Sequence, residues 1–290
     1  MSTWRAGLWA MLLPYLVGTL LLVGLPALLS GVLAFTTYDA LSPPVYVGFA
    51  NFRLLAADPI VGTAISNSLV FIVLAVPLRV AGALGLALLL SRPRRGATGY
   101  RAAVYVPTVI PDVAFAIIWL WIFNPVFGPV NVALEAVGLP TPGWLSDADT
   151  ARFPFVVMAA FVIGEGFVVL LAALRGLSAE VFDAGAVDGA GRWAVFRYLT
   201  FPLLLPWLAL LTFRDVILSF QWTFTPSFVM TGGDPYYATM FLPLVTYEEA
   251  FDRFRFGAGS ALMLVTFLLS AAIIGGIYLL FRRRGYVADV

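Results

Sequence analysis

The chain has 290 residues, of which 61% are hydrophobic, 15% aromatic and only 11% charged, against roughly 25% charged in an ordinary soluble domain. Mean hydropathy is +0.96, the net charge is only +1, and all 17 basic residues are Arg, with no Lys, His or Cys. That balance excludes a P-loop lysine, a His or Cys metal site, an imidazole base, a Cys nucleophile and a disulfide, and it argues against a nucleic-acid partner.

Six apolar blocks are long enough to cross a hydrocarbon core, which takes about 20 residues per helix. They run over residues 8–30, 63–90, 101–123, 152–174, 202–224 and 257–281. None shows the short alternating pattern of barrel strands, so the expected fold class is all-α transmembrane, a single six-helix domain over 1–290. The first block follows Arg5 but is longer than the apolar region of a signal peptide, about 7 to 15 residues, and is read as a span.

Arginine placement orients the helices, because basic residues are retained on the cytoplasmic side. With the amino terminus inside, Arg5, Arg92, Arg94, Arg95, Arg101, Arg175, Arg192, Arg197, Arg282, Arg283 and Arg284 fall on the inner side. Only Arg53, Arg152, Arg253 and Arg255 fall outside. Both termini are therefore expected in the cytoplasm.

Five ionisable residues lie inside spans: Arg79, Asp112, Glu165, Arg214 and Asp215. A charge at the bilayer centre costs about 2.5 to 3.5 kcal/mol on insertion scales, so each asks for a partner or a watery cavity. Arg79 lies nearer the inner side and is read as snorkelling; the other four fall near mid-depth. Asp215, Ser219 and Trp222 are spaced to share one helix face, with Gln221 beside it. Glu165 is flanked by Gly164 and Gly166, which leave room for a helix or a ligand. Carboxylate, hydroxyl and aromatic ring together suit a sugar. The competing reading is a buried ion pair, Arg214 with Asp112 or Glu165; Asp112 follows Pro111 and could instead satisfy the amides of a broken helix. Trp119, Trp121 and Trp144 are read as interface anchors.

The sizeable inner connection, 175–201, is not a plain solvated linker. Val181, Phe182, Ala186 and Val187 recur at helical spacing, Asp188-Gly189 gives a turn signal, and Trp193, Phe196 and Leu199 continue an apolar stripe up to Pro202. Two short helices at an angle are expected, with Asp183 near a helix start. Such a face must be buried against the chain's own helix ends or a partner, or rest on lipid headgroups.

This loop resembles the EAA loop of binding-protein-dependent ABC importer permeases. Asp183-Ala184-Gly185 stands where Glu-Ala-Ala is usual, followed by Val187-Asp188-Gly189-Ala190, Phe196 and Pro202. Arg101, Pro107, Pro111, Trp119, Phe123, Asn124, Gly128 and Asn131 resemble the third span and its outer loop in the carbohydrate branch. Thr231-Gly232-Gly233, Pro235, Ala238-Thr239, Tyr247, Ala250-Phe251 and Phe256-Gly257 resemble the segment before the last span in the permease type that includes the larger maltose permease and a glycerol-phosphate permease. Gly185 in place of Ala lowers helix propensity by roughly 1 kcal/mol, and Asp183 keeps the acidic charge. The chain lacks the extra helices and large outer domain of the maltose protein and resembles the plain six-span form.

The resemblance implies a non-catalytic transport subunit whose loop seats in a cytoplasmic ATPase. It further implies a second homologous permease, two ATPase subunits that bind ATP and Mg, an extracytoplasmic solute-binding protein, and no cofactor in this chain. It places the fourth and fifth spans along the substrate path. An intramembrane enzyme using Asp112, Glu165 or Asp215, or an ion-coupled carrier, are the readings from other classes; the inverted repeat of such carriers is not visible.

Overall fold

The computed structural model describes residues 2–92 and 95–283, so Arg94 and Arg284, used above for orientation, lie outside the described residues. Apolar blocks become helices, and two compact units emerge: Met1–Gly62 with Val245–Leu268, and Thr63–Leu244 with Leu269–Val290.

In the first unit, α1 (Trp9–Leu33) is long and apolar enough to cross a membrane. It widens to a π-turn at Leu20–Gly24, just before Pro26, whose missing N–H removes one i→i−4 bond. A two-residue hairpin follows, β1 (Thr36–Thr37) against β2 (Val45–Tyr46), then α2 (Ala50–Ala57). Asn51 of α2 donates from Nδ2 to the carbonyls of Ala34 and Thr36, at 2.9 Å each. Gly257 closes the unit. A Cβ there would sit 2.0 Å from the Thr36 carbonyl oxygen, so only glycine permits this backbone approach.

The second unit takes in most of α3 (Pro59–Leu90). The third apolar block, expected as one span, is two helices, α4 (Ala97–Val109) and α5 (Asp112–Ile122), bent by 101°. The cause is local. Pro111 forces Ile110 into extended backbone, ψ 128°, and cannot itself donate to the ladder. After α6 (Pro129–Ala136) comes α7 (Arg152–Gly176), interrupted at Val162 and Ile163. Its core combines Ala83 and Ala87 of α3 with Phe167, Leu170 and Leu171 of α7 and Leu204, Leu208 and Leu211.

The loop helix α8 (Ala179–Val187) ends in a Schellman motif. Ala190 N–H donates to the Gly185 carbonyl at 2.9 Å and Gly189 N–H to that of Ala186 at 3.1 Å, with Gly189 at φ +73°. Asp183 sits in the middle of α8 rather than near its start; Glu180 holds the first turn. No separate second loop helix forms. The stripe of Trp193, Phe196 and Leu199 opens α9 (Arg192–Thr231), which runs on through the fifth span, passing Pro202 by a π-turn at Phe196–Thr200. The remaining helices are α10 (Leu242–Tyr247) and α11 (Phe256–Arg283). Trp121 is exposed as an interface anchor would be. Trp119 instead packs with Phe115, Phe123 and Met158 in the interior, while Trp144 is half-buried and donates from Nε1 to Asn131.

Candidate functional site

Two places in the second unit gather the chemistry, one within the spans and one on the loop. Within the spans, four charges alternate. Arg79 of α3 faces Asp215 of α9, Nε to Oδ2 at 3.6 Å. Arg214 reaches Asp215 at 3.4 Å and also pairs with Glu165 of α7. Arg79 therefore does not snorkel. Its side chain is 11% exposed, and its Nε makes no hydrogen bond. The snorkelling reading rests on its position near the inner side of α3; α9 supplies the carboxylate that keeps it inside.

An ion pair does form between Glu165 and Arg214, but it is half-exposed rather than buried. Asp112 is not part of it. It opens α5, exposed, where a carboxylate is favoured by the helix dipole, and Arg214 is taken by the other two acids. The glycines flanking Glu165 differ in role. A Cβ on Gly164 would lie 2.9 Å from Val104 O and Tyr105 Cα, so this position lets α4 press against the break in α7; Gly166 meets only ordinary contact with Ala83.

The predicted face of α9 divides along its length. Asp215 is buried and turned to Arg79. Ser219 is buried and its hydroxyl donates back to the Asp215 carbonyl at 2.7 Å. Trp222 stacks on Phe71 of α3, ring centres 5.9 Å apart and 10° from parallel, while Gln221 is exposed. The cleft bounded by Arg79, Glu165, Gly166, Arg214 and Asp215 holds about 10 Å³, room for roughly one water. A sugar would need this cleft to widen. Phe71 also lines a largely apolar cavity of about 550 Å³, whose polar lining residues are Asn67, Asp149 and Arg152.

Asn67 and Ser68 were missed by sequence reasoning. Asn67 donates to the carbonyls of Tyr237 and Met240, at 2.9 Å each, and Ser68 Oγ accepts the amide of Leu242. Two adjacent polar residues in an apolar helix were the available signal. The segment they hold is fixed further by Thr231 and Thr239, whose hydroxyls lie 2.7 Å apart, and by Ser227, which donates to the Thr239 carbonyl. The Thr231-Gly232-Gly233 and Ala238-Thr239 motifs are thus one hydrogen-bonded corner.

On the loop, Asp183 and Ala184 are exposed, and Gly185 faces Leu199. Asp188 caps α8, and Gly189 turns the chain back. Phe196 touches Trp193 and Phe201. Val187 is 88% exposed, Trp193 72% and Tyr198 74%. A short helix with a carboxylate on show and apolar side chains around it has the composition of a docking element.

The sequence matches the family described as binding-protein-dependent transport system inner membrane component over residues 79–285. An sn-glycerol-3-phosphate transport system permease of Brucella abortus is 30% identical over 267 residues, 91% of this chain and 90% of that protein. A diacetylchitobiose uptake system permease of Streptomyces coelicolor is 30% identical over 279 residues, 91% and 84% respectively. A chain in the crystal structure of a bacterial alginate ABC transporter with its periplasmic protein superposes with a TM-score of 0.82 at 22% identity, covering 95% of this chain and 94% of that one. The chain belongs to this family: it is a multi-pass inner-membrane permease component of ABC importers, a transport subunit and not an enzyme, and it works with a binding protein and an ABC ATPase.

Proposed function

We propose that this permease forms one half of the translocation path of a sugar importer. It pairs with a second homologous permease and receives an oligosaccharide or glycoside from an extracytoplasmic binding protein. Two cytoplasmic ATPase subunits, which bind ATP and Mg, drive it. Both termini lie in the cytoplasm, on the side of the arginine-rich connections. The observation that carries the reading is α8, a capped helix exposing Asp183 among apolar side chains. On this reading Asp183, Ala184, Gly185, Asp188, Gly189, Phe196 and Pro202 form the coupling element. Nucleotide-driven closure of the ATPases moves it and shifts the spans toward their outward-open arrangement.

The solute path runs past Glu165, Asp215, Ser219, Gln221 and Trp222, with Asp112 at the bend of the third span. The relative that takes up diacetylchitobiose favours a carbohydrate. The charge pattern agrees, because Arg79 and Arg214 are matched by Asp215 and Glu165 and leave no surplus positive charge to hold a phosphate. That weighs against glycerol phosphate, despite the Brucella relative.

Reconstitution with the partner permease, ATPase and binding protein tests both parts. Asp183→Arg is expected to abolish ATP-driven uptake while the complex still assembles in the membrane. Glu165→Gln and Trp222→Ala are expected to raise the solute concentration for half-maximal stimulation of ATPase. Uptake that proceeds on an ion gradient without the ATPase would sink the proposal, and unchanged stimulation in both cleft variants would remove those residues from the path.

A further inference from the structure

In the first unit a cavity of about 400 Å³ is lined by, among others, Tyr38, Asp39, Val45, Leu54, Phe254 and Arg255. Its depth in the membrane follows from the chain. α1 ends at Leu33 and α11 begins at Phe256, so the cavity lies where two spans leave the hydrocarbon. Phe254 on its wall, and Tyr46, Phe49 and Phe251 in the segments that flank its lining residues in sequence, are exposed, the composition of a membrane–water girdle.

Two opposite charges are fixed on its wall. Arg255 donates from Nη2 to Glu249 Oε1 at 3.0 Å, and Glu249 is buried, so this guanidinium is anchored. The same carboxylate oxygen also accepts from Arg253. One oxygen thus serves two cations, and Arg253 also lies in the field of Glu248. Asp39 Oδ1 accepts the amides of Leu41 at 3.0 Å and Ser42 at 2.8 Å, which hold its carboxyl below the usual carboxylate range. It stays ionised at neutral pH. Val45 and Leu54, both more than half exposed, supply the apolar side. Arg53, Arg253 and Arg255, three of the four arginines expected outside, gather at this end, against the usual cytoplasmic bias.

We propose that this cavity binds the headgroup of a zwitterionic aminophospholipid, its phosphate on Arg255, its ammonium on Asp39 and its acyl chains along Val45 and Leu54. A preorganised guanidinium suits a phosphate diester, and an anionic lipid without an ammonium would meet Asp39 as a like charge. With the termini in the cytoplasm, the lipid comes from the outer leaflet.

The test uses the assembled transporter in nanodiscs of equal dioleoyl phosphatidylethanolamine and phosphatidylglycerol, with retained lipid counted by native mass spectrometry. Wild type is expected to keep the ethanolamine lipid at least tenfold over the glycerol lipid. Asp39→Asn keeps an acceptor for the Leu41 and Ser42 amides, and is expected to erase that preference, ethanolamine-lipid retention falling and glycerol-lipid retention rising. Leu54→Trp fills the cavity without altering a charge and is expected to release both lipids. Equal retention by wild type, Asp39→Asn and Leu54→Trp overturns the proposal. So does displacement by water-soluble glycerophosphoethanolamine at concentrations matching the lipid.

Discussion

Arg79 and Asp215 face each other across the second and fifth spans with 3.6 Å between Nε and Oδ2, both side chains almost wholly buried. Neither would be tolerated alone in that setting, since an unpaired buried charge costs several kcal/mol.

Arg79→Gln should therefore destabilise the protein by about 3 kcal/mol, with Arg214 still near enough to Asp215 to keep the loss from growing further. Adding Asp215→Asn should restore at least half of it. Thermal unfolding of the detergent-purified chain in a double-mutant cycle measures both; strictly additive losses would show that the two charges are not coupled.

Glu165 and Arg214 behave differently because their side chains are 53% and 33% exposed. Glu165→Ala should cost no more than about 1 kcal/mol of stability. The same unfolding assay separates this from the Arg79 pair, and a loss as large as that of Arg79→Gln would contradict the distinction.

Gly257→Ala should prevent the first unit from closing, because its methyl would overlap the Thr36 carbonyl oxygen. The expected result is loss of folded protein in the membrane fraction. Gly276→Ala, in the same helix with open space around it, should be neutral or slightly stabilising, as helix propensity favours Ala by about 1 kcal/mol. Comparable yields of the two variants by size-exclusion chromatography would refute the steric argument.

Gly185→Ala returns the loop to the residue usual in its family. The new Cβ would meet only Leu199 Cδ1, at 2.9 Å, the end of a side chain that can rotate away. Stability should rise by up to about 1 kcal/mol. Gly189→Ala should cost a similar amount, since φ +73° is strained for any residue with a Cβ. Hydrogen exchange of the α8 amides reads both changes, and opposite signs are required.

The resemblance carried by Asp183 to Pro202 and by the Thr231-Gly232-Gly233 corner was legible because those motifs are contiguous, and glycines and prolines act locally. The turn at Asp188-Gly189 is one such case. At Ile110 and Pro111 the sequence points to a broken helix but not to the 101° bend, because a proline inside an apolar run is compatible with a mild kink as well as a sharp turn. Whether Trp119 faced lipid or interior was undecidable from a helix apolar on every side.

The order of apolar blocks and the bias of arginines are properties of single segments, so composition and spacing alone give a helical membrane chain, while the docking role of its loop rests on the family resemblance. Which charge meets which was settled only in three dimensions. Arg79, Glu165 and Asp215 come from three separate helices, and a local pattern carries no information about the rotation of one helix against another. Packing brings Asp215 to Arg79 in the interior, where an unpaired charge would be costly, and sets Arg214 between Asp215 and the half-exposed Glu165.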